Sequence, residues 1–139
     1  MCNHQIHILI LRLLSIFRTE KIKSEHIPSV LFDIPELRTL DLDGTRINNL
    51  PEENSCKLEE LYLSHNYFSK VPKGLKTLPY LVMVDMSHNF LASIPDDIHE
   101  FLPSIRILKL NYNVLTTIPA NLCKLITLEE LEVCNNKLP

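Results

Sequence analysis

The sequence predicts an α/β solenoid, with a curved parallel sheet on the concave face and short helical or 3₁₀ return segments on the convex face. Three observations predict it. Apolar residues recur in five successive segments at the same uneven intervals, each segment holds a polar residue at one fixed place, and each closes on a proline. Such intervals match neither the period of two of a half-buried strand nor the 3.6 of a helix.

The first segment runs Leu37, Leu40, Leu42, Thr45, Ile47, Leu50, Pro51, and it aligns with Leu58, Leu61, Leu63, Asn66, Phe68, Val71, Pro72. Leu81, Val84, Met86, Asn89, Leu91, Ile94, Pro95 follow, then Ile105, Leu108, Leu110, Asn113, Leu115, Ile118, Pro119. Leu128, Leu131, Val133, Asn136, Leu138, Pro139 close the series. Starts at 37, 58, 81, 105 and 128 lie 21, 23, 24 and 23 residues apart.

The pattern L-x-x-L-x-L-x-x-N-x-L-x-x-L-P resembles the leucine-rich repeat family, and five tandem copies over residues 37–139 carry the likeness. A unit of about 23 residues ending in Leu-Pro is similar to the intracellular class typified by Ras-pathway scaffolds and Ras-suppressor proteins. That resemblance implies a scaffold in intracellular signalling or complex assembly.

Upstream, Ile27-Pro28 followed by Leu31, Ile34 and Pro35 repeats the spacing of Val71-Pro72 followed by Leu75, Leu78 and Pro79. Residues 27–139 thus form one repeat domain of a half repeat and five recognisable units, the last incomplete. Counting back from Pro28 puts Ile22 at the asparagine place and Thr19 at a buried leucine place. Residues 1–26 are open to three readings: a degenerate first repeat, an N-terminal cap, or an unrelated helix.

Within a unit, the alternation Leu61-Tyr62-Leu63 is that of a strand with its leucines inward and Tyr62 outward. Asn66, Asn89, Asn113 and Asn136 then fall where the chain leaves the strand. An amide that both donates and accepts satisfies turn backbone there, so a ladder is expected, weakened where Thr45 replaces asparagine. Pro72, Pro95 and Pro119 fix φ at the entry to the return path. The return from Pro51 to Leu58 is about two residues shorter than the others and lacks a leucine like Leu75, which predicts an irregular convex surface at that point.

Composition narrows the function. A net charge of −3 and no long Lys or Arg run speak against nucleic acid as a partner. Residues 6–17, IHILILRLLSIF, are too few to span a bilayer and include Arg12; flanked by MCNHQ and RTEK, they lack the layout of a secretory signal. Cys2, Cys56, Cys123 and Cys134 show no CxxC and no clustering, and no N-x-S/T sequon occurs. A cytoplasmic chain with free thiols and no membrane partner is expected.

Outward strand positions fall into columns. Asp41, Tyr62, Asp85, Lys109 and Glu132 form the central one; Thr39, Glu60, Met83, Ile107 and Glu130 precede it; Gly44, His65, His88, Tyr112 and Asn135 line the rim. Exposed apolar residues on a solvated sheet point to a docking surface, so Tyr62, Met83, Asp85, Ile107, Lys109, Tyr112 and Glu132 are the candidate partner-binding residues. The excess of acids over Arg38, Arg106 and Lys109 favours a partner with a basic patch. His65 and His88 without an adjacent carboxylate make a poor metal site, Cys134 has no histidine to activate it, and no phosphate loop, HExxH or GxSxG is present. The expectation is a non-enzymatic protein-binding module without cofactors. The alternatives are the repeat portion of a larger enzyme or receptor, and a secreted recognition domain.

Overall fold

A computed structural model describes residues 16–18 and 29–139. Among the described residues, six strands of three residues each make one parallel sheet in chain order: β1 (Ile16–Arg18), β2 (Thr39–Asp41), β3 (Glu60–Tyr62), β4 (Met83–Asp85), β5 (Ile107–Lys109) and β6 (Glu130–Glu132). Every strand bonds to its sequence neighbour, as a solenoid requires. The register places Leu40, Leu61, Val84, Leu108 and Leu131 side by side, with Phe17 partnered to Leu40.

The expected alternation holds: in β2 to β5 the middle residue is buried and its two neighbours are half-buried. Leu37, Leu58, Leu61, Leu63, Phe68, Leu75 and Leu91 are fully enclosed in a core that runs the length of the stack. Each such side chain contributes roughly 1.5–3 kcal/mol, and its cover comes from neighbouring repeats as much as from its own.

Asparagines join these repeats. Asn66 donates to Leu42 O of the preceding repeat at 2.9 Å and to Leu63 O of its own turn at 3.1 Å, while its oxygen accepts from Ile47 N at 3.1 Å. Asn89, Asn113 and Asn136 repeat the arrangement. Thr45 sets its hydroxyl 2.8 Å from Leu42 O of its own turn and 3.2 Å from Asn66 Oδ1 of the next repeat, and with a single proton it cannot donate as the asparagine amides do. The thinning of the ladder expected at this unit follows from that one missing donor.

Return segments hold 3₁₀ helices η1 (Ser29–Asp33), η2 (Lys73–Thr77) and η3 (Ala120–Lys124), and one α-turn, α1 (Ile98–Phe101). Pro72 and Pro119 precede η2 and η3 in extended backbone, at φ −71° and −68°. The short return after Pro51 forms no helix. Asn54 closes it instead, its side-chain amide donating to Pro51 O at 3.0 Å and to Thr77 Oγ1, while buried Cys56 donates its N–H to Phe32 O at 2.9 Å. Gly74 packs against this segment so closely that an added Cβ would stand 2.3 Å from Pro51 O. Farther along, Lys76 ties η2 to α1 by ion pairs to Asp97 (2.9 Å) and Glu100 (3.3 Å) and lies 4.5 Å over the Phe101 ring.

Candidate binding face on the concave sheet

The strand register brings the predicted columns together. Asp41, Tyr62, Asp85, Lys109 and Glu132 stand side by side, and so do Thr39, Glu60, Met83, Ile107 and Glu130. Tyr62, Met83 and Ile107 share a shallow concavity of about 330 Å³ whose remaining walls are Val82, Glu60, Arg106 and Glu129. Its floor is apolar and its edge charged. The Tyr62 hydroxyl lies 3.4 Å from Glu60 Oε2 and donates toward it. Burial, reinforced by the Glu60 charge, pushes the phenol pKa up, so Tyr62 stays a neutral donor.

Along the same column most charges are already paired. Lys109 Nζ stands 2.7 Å from Glu132 and 4.0 Å from Glu130; the Glu132 hydrogen bond holds the ammonium pKa above its ordinary value, and Lys109 holds the Glu132 carboxyl below its own. Glu132 also accepts from Asn111 Nδ2. Arg106 grips Glu129 with two bonds of 2.9 Å, and Arg38 lies 3.7 Å from Glu59. Asp85 accepts from Ser87 N of its own turn at 2.9 Å, and Asp43 from Ser64 N of the next repeat at 2.7 Å, so the first fixes a turn and the second joins two repeats.

Tyr112 stands apart from the other predicted residues. It ends a stack on the rim, with His88 4.3 Å from it and His65 4.1 Å from His88, the planes within 12° of parallel. All three have φ of 53–54°, the left-handed region that Gly44 (66°) and Asn135 (56°) share in the same column. Parallel imidazoles turn their faces to each other, which suits ring packing better than joint coordination of a metal. Tyr67 and Phe90, both about half exposed, form a second row with centroids 6.2 Å apart.

Residue types alone foretold neither stack nor the pairing of Lys109 with Glu132. Among the pocket walls, Glu60, Arg106 and Glu129 were missed as site residues; their only signal was a place two or three positions ahead of the central column. Among the described residues there is no group of three or more His, Cys, Asp or Glu able to hold a metal, and no helix long and apolar enough to cross a membrane. Cys56, Cys123 and Cys134 are free; Cys2 lies outside the described residues.

Comparisons with known proteins agree on the fold. The profile described as Leucine rich repeat matches residues 35–91 and 79–138. Osteomodulin of Bos taurus is 34% identical over 107 residues, covering 73% of this chain and 25% of that protein. Podocan-like protein 1 of Homo sapiens is 35% identical over 105 residues, covering 73% of this chain and 20% of its own length. Among solved structures, a leucine-rich repeat protein of Leptospira interrogans superposes with a TM-score of 0.73 at 30% identity, over 82% of this chain and 29% of that one. The Arabidopsis receptor kinase HAESA, in complex with the peptide hormone IDA and the co-receptor SERK1, does so with a TM-score of 0.68 at 34% identity, over 81% and 20%.

The chain therefore spans a quarter or less of the two relatives named. These comparisons overturn the cytoplasmic placement, because osteomodulin, fibromodulin and lumican are secreted extracellular matrix proteoglycans. The cysteine and leader arguments failed because scattered thiols and a missing signal layout are weak negative evidence about a compartment. Repeat spacing, asparagine ladder, strand register and sequence matches together make this chain a member of the leucine-rich repeat family.

Proposed function

We propose that this chain is an extracellular binding module that takes a protein or peptide partner across its concave sheet. The observation that supports it best is the concavity at Tyr62, Met83 and Ile107, where an apolar floor lies open on a face otherwise lined with charge. Half-exposed Met and Tyr beside one another are favoured anchors for a partner. The solved neighbour HAESA is complexed with a peptide hormone, which supports a peptide as the class of partner.

Tyr62, Met83 and Ile107 are the anchors in this reading, Asp85, Lys109 and Glu132 the polar border, and Tyr112 an outlying contact. Acids outnumber cations on the sheet, which favours a basic partner and disfavours nucleic acid. The module works by binding and not by catalysis. Complex assembly in signalling fits it as a part of a larger receptor or matrix protein; the intracellular scaffold class that the unit length resembles has the compartment of the matched relatives against it. Residues 27–139 are proposed as the repeat domain. Residues 1–26 are proposed as a degenerate first repeat, because β1 meets β2 with Phe17 at the place of the conserved-spacing Leu40; residues 1–15 and 19–26 lie outside the described ones.

The test is capture from a matrix extract or conditioned medium with the wild-type chain and with Met83→Asp. A partner retained by the first and lost by the second is the expected result. Capture indifferent to Met83→Asp and to Tyr62→Ala would place binding elsewhere.

A further inference from the structure

The concavity has one charge left over. Its Arg106 is held by both Glu129 oxygens, and the neighbouring Lys109 by Glu132 and Glu130. Glu60 makes no ion pair among the described residues; its carboxylate receives only the long 3.4 Å contact from Tyr62. An apolar floor of Val82, Met83 and Ile107 therefore ends at an unneutralised carboxylate. A purely apolar ligand would leave that charge partly desolvated and unmatched, and a small cation would leave the floor uncovered.

From this geometry we propose that the concavity receives a lysine or arginine side chain of the partner, its aliphatic stem lying on Met83 and Ile107 and its cationic head meeting Glu60. Long cationic side chains bury their stems on apolar surface while the head stays polar, so one residue satisfies both halves of the site. The chain makes the same kind of contact with itself at Lys76, which lies over Phe101 and meets Asp97 and Glu100. Charge on the surrounding sheet agrees: Glu59, Glu60, Glu129, Glu130 and Glu132 outnumber Arg38, Arg106 and Lys109. The inference rests on the concave-face reading and names what that face selects.

Methionine methyl NMR tests it without a partner. Met83 lines the concavity, whereas Met86, three residues on, is buried and reports whether the fold is intact. The probes are n-pentylammonium (stem and cation), n-pentanol (stem alone) and methylammonium (cation alone), with Met83→Leu used to assign the resonance. A saturable shift of the Met83 methyl by pentylammonium is expected, several-fold tighter than by either other probe, with Met86 unmoved. Glu60→Gln should bring pentylammonium down to the affinity of pentanol. No saturable shift, equal binding of pentanol, or indifference to Glu60→Gln overturns the proposal. Capture indifferent to Met83→Asp would sink the concave-face reading and this inference with it, whatever the probes do; capture lost with Met83→Asp but no saturable probe shift would sink the ligand class alone.

Discussion

Asn89 holds Leu63 of the preceding repeat, its side-chain amide donating to the Leu63 carbonyl at 2.9 Å while its own oxygen accepts from Phe68 N at 3.0 Å. Two repeats thus share one side chain, and all the groups concerned are buried. Asn89→Ala leaves the Phe68 N–H without a partner, at about 1–3 kcal/mol, and strips one of two donors from each of the Leu63 and Met86 carbonyls, which keep Asn66 and Asn113. We expect a loss of at least about 2 kcal/mol in urea unfolding. Thr45→Ala, which removes a hydroxyl shared between Leu42 O and Asn66 Oδ1 and leaves no N–H unpaired, should cost visibly less.

Leu63→Ala and Tyr62→Ala test the two faces of one strand and its continuation. Leu63 is fully enclosed, so its truncation should cost about 2–5 kcal/mol. Tyr62 is half-buried and bonds only weakly to Glu60, so its loss should stay near or below about 1 kcal/mol while reducing partner capture. Equal destabilisation by both would mean that Tyr62 belongs to the core.

Two glycines should respond to alanine for different reasons. At Gly74 the new methyl would meet the Pro51 carbonyl, a backbone atom that cannot rotate away, and we expect a loss of about 1–3 kcal/mol. At Gly44 there is open space but φ is +66°, so the cost is the left-handed one of about 1–2 kcal/mol. Gly44→Asn should recover part of it, since asparagine tolerates that region, as Asn135 does. Gly74→Asn should recover nothing. Thermal unfolding of the four variants separates steric from conformational strain.

Asp43 should give an unusual pH response. Burial raises its pKa above the ordinary aspartate value of 3.8, with Asp41 and Asp85 adding to the rise against the opposing bonds to Ser64. A raised carboxyl pKa means that the folded chain binds more protons than the unfolded one between the two values, so stability falls as pH rises through that window. Asp43→Asn keeps an oxygen for Ser64 N and removes the charge. The variant should gain on wild type from acid to neutral pH and then hold a constant advantage; a gap independent of pH would contradict this.

How far the residues alone revealed this molecule depends on how regular each interaction is. Leu61 and Asn66 could be placed because the same geometry recurs at every repeat, so spacing carries the information. Strand columns came from the same source, and the register reproduces them. The closure of the short return by Asn54 and Cys56 occurs once, and no repetition announces it. His65, His88 and Tyr112 were recognised as one column, but their left-handed backbone and ring stacking depend on fine packing of side chains that sequence spacing does not report. The free charge at Glu60 emerges only after Arg38, Arg106 and Lys109 have found other partners. The compartment had no structural signature at all.

Bonds such as Ser64 N to Asp43 and Leu91 N to Asn113 point along the direction in which the units are stacked. A pull applied between Leu40 and Leu131 therefore loads each junction in series, and the junctions should open one after another like a zip. In an optical trap the chain is expected to lengthen in unit-sized steps at low force. Under a steady load such a stack would yield gradually and re-form when slack.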